Sequence, residues 1–116
     1  MLRFFPLAVL LALPLTAQAQ MAHYCGGAVV ADRFETRVTR TPIMKAHYAV
    51  TLQNRRSTAV SVIIIVRGGL LDRPSPAPIR INPNQSVTVQ LGNQAIIGSP
   101  PMRGEQIANV TGVSCV

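Results

Sequence analysis

Two cysteines constrain the fold of this chain more than any other feature, because they stand near opposite ends of the sequence that follows an apolar leader. They are Cys25 and Cys115. In an oxidising compartment an even number of cysteines indicates disulfide bonding, and two cysteines allow one intramolecular pairing. We therefore predict a Cys25–Cys115 bond. It would close a loop of about 90 residues, and loop entropy assigns such a bond roughly 4–5 kcal/mol of stability.

Residues 1–19 have the three parts of a secretory signal peptide. Arg3 supplies the positive start, residues 4–15 (FFPLAVLLALPL) are apolar, and residues 16–19 (TAQA) have the small-x-small pattern that signal peptidase requires. The apolar run is shorter than the roughly 20 residues that span a bilayer. We predict cleavage after Ala19, no integral membrane segment after cleavage, and a bacterial protein that is periplasmic or secreted. An uncleaved anchor is the alternative.

Residues 20–116 suffice for one small domain, and alternation of apolar and polar residues predicts that it consists of strands. Residues 59–66 (AVSVIIIV) form a β-branched run that is typical of a central strand. Residues 82–85 carry turn-forming side chains, which predicts a hairpin. The segments that alternate are residues 33–38, 48–53, 79–81 and 86–91.

The alternation of apolar and polar residues ends after Gly92. Glycines and a Pro-Pro pair predict a long loop from there to Ile107, with one helical turn at residues 93–97. Six or seven short strands in a domain of this length indicate an all-β fold, either a sandwich or a small barrel. We favour the β-sandwich, because a disulfide between the termini and the proline-rich residues 72–78 suit two packed sheets.

One part of the sequence resembles bacterial secreted immunoglobulin-like modules. It consists of YAVTLQNRRSTAVSVIIIV, a proline-rich connector and IRINPNQSVTVQLG, which together cover residues 48–92. In those modules a strand ends in Asn, a second strand follows, and a Pro-x-Gln/Glu-Ser turn leads into an alternating strand. The first domains of pilus chaperones and many cell-envelope adhesion or scaffold repeats share this pattern. The resemblance implies an immunoglobulin-like β-sandwich of six to seven strands, but no function.

Arginine dominates the charge of residues 20–116, which contain nine arginines, one lysine and four acidic residues. Its planar guanidinium binds phosphate and carboxylate through two hydrogen bonds. In a cell envelope the available anions are lipid headgroups, lipopolysaccharide phosphates, peptidoglycan carboxylates and acidic proteins. The alternative is that scattered arginines only keep the protein soluble. The predicted contact residues are Arg33, Arg37, Arg40, Arg55, Arg56 and Arg80.

A periplasmic copper-binding module is the alternative function. Imidazole and thioether groups suit copper, and the candidate ligands His23, His47, Met21 and Met44 could supply them. If cleavage followed Ala22 instead, the new amino terminus would join the two imidazoles in a three-nitrogen site. Against this, no two candidates have a dedicated metal-ligand spacing, and Cys25 is assigned to the disulfide. The first hypothesis includes no cofactor.

The sequence offers no catalytic constellation. None of its serines lies in a G-x-S-x-G or S-x-x-K motif, and its four acidic residues form no evident pair. Nucleic acid is not expected either, because the chain is exported and has few aromatic residues for base stacking. We therefore predict a non-enzymatic binding or accessory protein of the cell envelope. It would contact an anionic component or a protein partner through an arginine-rich face or a sheet edge. The partner and the oligomeric state stay open.

Overall fold

Seven strands and one short helix make up residues 22–116, the part of the chain that the structure, a computed structural model, describes. The predicted signal peptide, its cleavage site and Met21 lie outside the described residues. A single 3-10 turn, Cys25–Gly27, separates the first two strands. The elements are β1 (Ala22–Tyr24), β2 (Val29–Thr39), β3 (Lys45–Asn54), β4 (Val60–Val66), β5 (Ile79–Ile81), β6 (Ser86–Ala95), α1 (Gly104–Val110) and β7 (Thr111–Cys115).

The strands form two antiparallel sheets, one of four strands in the order β1-β2-β3-β6 and one of three strands in the order β5-β4-β7. The predicted all-β sandwich of six to seven strands is confirmed. The β-branched run of β4 is the central strand of its sheet, as its composition predicts. The Cys25–Cys115 disulfide is also confirmed, and it joins the turn after β1 to the end of β7.

The core lies between the sheets and receives alternate side chains from both. Val50, Leu52 and Leu91 from the four-stranded sheet and Val62 and Ile64 from the three-stranded sheet are each at most 1% exposed. Strand side chains alternate between faces, so the residues between these point to the outer faces of the sandwich. Burial of the aliphatic side chains drives the two sheets together.

The predicted hairpin at residues 79–91 is wrong. β5 pairs with β4, whereas β6 pairs with β3, so residues 82–85 carry the chain from one sheet to the other. The fully buried Asn54 holds this crossing, because its amide nitrogen donates to the carbonyl oxygens of Ile81 (3.1 Å) and Asn82 (3.3 Å). Alternation along one strand does not say which neighbour that strand pairs with, so the two arrangements look alike in the sequence.

The predicted helical turn at residues 93–97 is also wrong, because β6 continues to Ala95. Tyr48 pairs with Gly92 and Ala49 with Gln90, which leaves one extra residue in β6 as a bulge. Gly92 has a φ of +134°, a value that side chains other than glycine's rarely allow. The bulge interrupts the two-residue period, so the sequence pattern ends before the strand does.

The helix α1 begins inside the segment predicted to be a loop and continues beyond it. It spans seven residues and buries one of them completely, Ile107, which joins the core between the sheets. Arg103 precedes the helix, and its backbone nitrogen donates to the side-chain oxygen of Gln106 (2.8 Å). A helix of two turns with one buried residue has no repeat of apolar residues at helical spacing, so the sequence does not identify it.

Candidate functional site

The outer face of the four-stranded sheet carries several of the basic side chains. Directly paired residues in antiparallel strands share a face. The pairs Arg33 with Thr51, Arg37 with His47 and Thr39 with Lys45 therefore bring basic residues of β2 and β3 to the same side of the sheet. This side is the outer one, because along β3 the residues Lys45, His47 and Thr51 alternate with residues such as Val50 and Leu52, which face the core.

Charge on this face is uneven along the strands. Nε of Arg33 lies 3.0 Å from Oε2 of Glu35, and both side chains are well exposed. Exposed ion pairs contribute about 0–1 kcal/mol to stability, so the main effect of this pair is to neutralise the middle of the face. By contrast, residues 36–48 contain no Asp or Glu, nor do residues 93–104. Uncompensated positive charge therefore collects toward one end of the sheet.

Three strands end together at that end. β2 ends at Thr39, β3 begins at Lys45 and β6 ends at Ala95, and these residues lie side by side through the pairs Thr39–Lys45 and Lys45–Ala95. The backbone nitrogen of Ile96 donates to the carbonyl oxygen of Met44 (2.9 Å), so the loop after β6 runs beside the turn between β2 and β3. Arg40 lies in that turn.

We call this end of the molecule the basic tip. It combines cations with exposed apolar side chains. The sequence does not reveal this combination, because the residues come from separate segments of the chain. The tip's place at the end of three paired strands gives it a fixed backbone geometry. The carboxylate of Asp72 lies on the β6 side of these strands, where it accepts from the side chain of Asn93. The basic tip consists of Arg37, Arg40 and Lys45 together with Val38, Ile43, Met44 and Ile97.

The other predicted arginines lie elsewhere. Arg55 and Arg56 are exposed in the connection from β3 to β4, at the end of the sheet that also holds the disulfide. Arg80 pairs with Ser61 on the three-stranded sheet. The six predicted arginines thus do not form one surface, since only Arg33, Arg37 and Arg40 lie along the same part of β2 and the turn that follows it.

Sequence reasoning missed two kinds of tip residue. Lys45 was not among the predicted contacts, although it lies in the stretch 36–48, whose lack of acidic residues is visible in the sequence. The exposed apolar residues had no such signal, because Val38 continues an alternating strand and Ile97 lies in a segment without a pattern. Their exposure becomes visible only when the strand ends are placed.

The two candidate histidine ligands lie far apart. His23 pairs with Val30 and Val30 with Gln53, which is six residues from His47 along β3, so about 20 Å separates the histidines. His47 is instead close to its neighbour on β2, with Nε2 3.0 Å from Oγ1 of Thr39. One metal ion cannot contact both imidazoles in this fold.

The sulfur-containing side chains do not bring the two histidines into one site. Met44 belongs to the basic tip, and Cys25 is held in the disulfide. Met102 packs against the core, and its backbone nitrogen donates to the hydroxyl of Tyr48 (3.0 Å). Within residues 22–116, no three His, Cys, Asp or Glu side chains are grouped so that they could hold a metal ion.

A cleft of about 550 Å³ lies between β4 and residues 70–76. Its two charged side chains already have partners: Oδ2 of Asp72 accepts from the side-chain nitrogen of Asn93 (2.9 Å), and Nη1 of Arg73 donates to the carbonyl oxygen of Val66 (3.2 Å). The cleft therefore contains no free acid–base pair. Elsewhere, burial raises the pKa of the Tyr24 phenol above its ordinary value, which favours the neutral form of that group.

Each of the two sheets has two edge strands. β1 and β6 border one sheet, and β5 and β7 border the other. The aliphatic run Val60–Val66 is not an edge, because β7 pairs with residues 62–66 and β5 with residues 60–62. The end of β6 is partly covered as well, since Leu71 and Asn93 exchange two backbone hydrogen bonds (2.8 and 2.9 Å).

Comparisons with known proteins add no further information on the site. We found no match to the chain among protein-family models, curated proteins or solved structures. No helix within residues 22–116 is long and apolar enough to cross a membrane.

Proposed function

We propose that the protein is a non-enzymatic, extracytoplasmic binding protein of the bacterial cell envelope that contacts an anionic envelope component through the basic tip. The observation that carries this proposal is the meeting of Arg37, Arg40 and Lys45 at one end of the sandwich, in segments without a single carboxylate. The neighbouring Arg33 contributes less, because Glu35 neutralises it.

The side chains of the tip suit anions that carry phosphate or carboxylate. Two guanidinium groups can each donate two hydrogen bonds to such a group, and the lysine adds a compact charge. The turn that holds Arg40 is anchored at both sides, by the Thr39–Lys45 pair and by the hydrogen bond from Ile96 to Met44. Little backbone ordering is then required on binding, which favours affinity.

The cellular setting of this proposal follows from the leader and the cysteines. A signal peptide would deliver the chain to an oxidising compartment, and the Cys25–Cys115 bond is compatible with such a compartment. The resemblance of residues 48–92 to secreted immunoglobulin-like modules supports the same setting. An accessory or scaffold role in the envelope is consistent with a small, disulfide-linked sandwich whose proposed contact surface is the basic tip.

Retention on anionic particles tests the proposal. The exported protein is sedimented with phosphatidylglycerol-containing vesicles, with zwitterionic vesicles, and with lipopolysaccharide, across a salt series. We expect binding to the anionic particles at about 0.05 M salt and release near 0.5 M, because the contacts are exposed and are screened over a Debye length of roughly 8 Å or less above physiological salt.

A pair of matched double variants locates the contact. R37E/R40E and R55E/R56E change the net charge equally, but at opposite ends of the four-stranded sheet. Each cation near an anionic surface contributes about 1 kcal/mol, so R37E/R40E should weaken binding at least about tenfold. R55E/R56E should change it far less. Equal weakening by both pairs would mean that overall charge, and not the basic tip, causes retention.

A further inference from the structure

Exposed apolar side chains concentrate at the basic tip. Single exposed hydrophobic residues are ordinary on protein surfaces, whereas a group of them beside cations indicates an interaction site. Four of the seven large hydrophobic residues exposed within residues 22–116 belong to the tip, one of which, Val38, pairs with the buried Ala46 and lies on the inner face of the sheet. Those four are Val38 (41% exposed), Ile43 (53%), Met44 (37%) and Ile97 (83%).

The fold places these side chains at the very end of the sandwich. Ile43 and Met44 lie in the turn between β2 and β3, and Ile97 lies two residues past the end of β6. The hydrogen bond from Ile96 to Met44 brings the turn and the loop together. Arg37 and Lys45 lie on the adjoining strands and Arg40 lies in the turn itself, so apolar side chains and cations share this end of the sandwich.

This combination of apolar side chains and cations suits a membrane surface. A protein that lies on a bilayer places apolar side chains about 5–10 Å into the boundary between headgroups and acyl chains, and its cations contact anionic headgroups. A purely electrostatic site for a soluble anion or a polysaccharide would not require Ile43, Met44 and Ile97 to be exposed. The absence of acidic residues from 36–48 and 93–104 provides the charge complementarity.

We infer that the anionic component is the surface of a phospholipid bilayer, and that Ile43, Met44 and Ile97 insert into it while Arg37, Arg40 and Lys45 bind its headgroups. This inference rests on the proposed function and names its ligand. Ile97 contributes most to insertion, because its side chain is the most exposed of the group. The protein lies on the membrane end-on, with the disulfide end directed away from it.

A tryptophan reporter tests insertion directly, because the chain contains no tryptophan. Ile97→Trp places the reporter at the tip, and Ser57→Trp places an equivalent reporter in the exposed turn at the disulfide end. On vesicles that contain phosphatidylglycerol, we expect the emission of Ile97→Trp to shift to shorter wavelength and to be quenched by lipids brominated on their acyl chains. The emission of Ser57→Trp should stay unchanged.

A second variant gives a quantitative measure. Ile97→Ala removes apolar surface from an exposed position, so it should fold normally and weaken vesicle binding about tenfold if the side chain inserts. Its retention on a soluble polyanion such as polyphosphate should be unchanged. A loss on both probes would overturn the assignment of Ile97 to insertion.

The possible failures are distinguishable. Salt-sensitive vesicle binding without a shift in Ile97→Trp emission would overturn insertion but leave the proposed anion-binding function standing. Binding to lipopolysaccharide or to an acidic protein, but not to phospholipid vesicles, would overturn the bilayer as ligand. Failure to bind any anionic particle at low salt would overturn both the inference and the proposed function.

Discussion

Asn54 is the side chain on which the junction between the two sheets depends. It ends β3, is fully buried, and donates to three carbonyl oxygens, those of Thr58 (2.9 Å), Ile81 (3.1 Å) and Asn82 (3.3 Å). Its side-chain oxygen accepts from the backbone nitrogen of Arg56 (2.9 Å). The connection from β3 to β4 and the connection from β5 to β6 are thereby fixed to each other.

Replacing Asn54 should destabilise the fold markedly. In Asn54→Ala the buried carbonyl of Ile81 and the partly buried carbonyls of Thr58 and Asn82 lose their donor. Each unsatisfied buried group costs about 1–3 kcal/mol. We expect the free energy of unfolding to fall by at least about 2 kcal/mol, measured by urea denaturation. Asn109→Ala, an exposed position in α1, serves as the control and should change it by less than about 0.5 kcal/mol. Equal effects would contradict the role given to Asn54.

Gly92 is required by a close approach of the chain to itself. A Cβ atom at this position would lie 2.7 Å from the carbonyl oxygen of Leu71 and 3.0 Å from Cβ of Leu70, and the φ of +134° is unfavourable for other residues. Gly92→Ala should therefore lower the free energy of unfolding by about 2 kcal/mol or more. Gly69→Ala is the matched control, because no atom lies within 4 Å of its Cβ position. Urea denaturation of both variants checks this, and similar stabilities would refute it.

These two residues show what the sequence pattern can and cannot reveal. A strand that is followed by Asn is visible as a motif, and alternation predicts a strand at residues 48–53. Two of the partners of Asn54, Ile81 and Asn82, lie 27 and 28 residues farther along the chain, and no local pattern indicates them. The need for glycine at position 92 likewise depends on Leu71, which approaches only after β6 has paired with β3.

The disulfide holds the elements at one end of the sandwich together. Cys25 follows β1 and Cys115 ends β7, so the bond ties the edge strand β1 of one sheet to the edge strand β7 of the other. β1 has only three residues and would otherwise fray easily. The covalent link therefore adds to the hydrogen bonds that hold the two ends of the described chain.

Reduction should weaken the fold substantially. Loop entropy predicts that loss of the Cys25–Cys115 bond lowers the free energy of unfolding by up to about 4–5 kcal/mol, a large part of the 5–15 kcal/mol typical of a domain. Urea denaturation with and without a reductant measures the loss, and intact mass after thiol alkylation confirms that both thiols were blocked beforehand. In C25S/C115S the reductant should have no effect. An unchanged unfolding midpoint on reduction of the native protein would refute the prediction.

An element could be predicted where its own residues carry a recognisable pattern. Alternation located β3, β5 and the first half of β6, and a β-branched run located β4 as a central strand. The end of β6 was missed because its bulge shifts the period, and α1 because seven residues with a single buried side chain resemble a loop. The crossing between β5 and β6 was missed because strand partners are chosen by the whole core, not by the turn.

Taken as a whole, the molecule has two unlike ends. One holds the disulfide, Asn54 and the exposed pair Arg55 and Arg56. The other is the basic tip, where residues from the turn between β2 and β3 meet Ile97 from the loop after β6. The sequence predicted a basic, exported sandwich but not this polarity, since Arg37 and Ile97 are brought together only by the pairing of β2, β3 and β6.

Mapping the contact on the isotopically labelled protein by NMR tests the central claim most directly. Backbone amide shifts are followed while micelles of short-chain phosphatidylglycerol are added, with zwitterionic micelles as the control. We predict that the largest changes fall on residues 37–45 and 95–98, and that they diminish as salt is raised. Changes centred on residues 54–57 and 82–85, at the disulfide end, or no selective changes at all, would contradict the proposal that this protein binds an anionic surface through its basic tip.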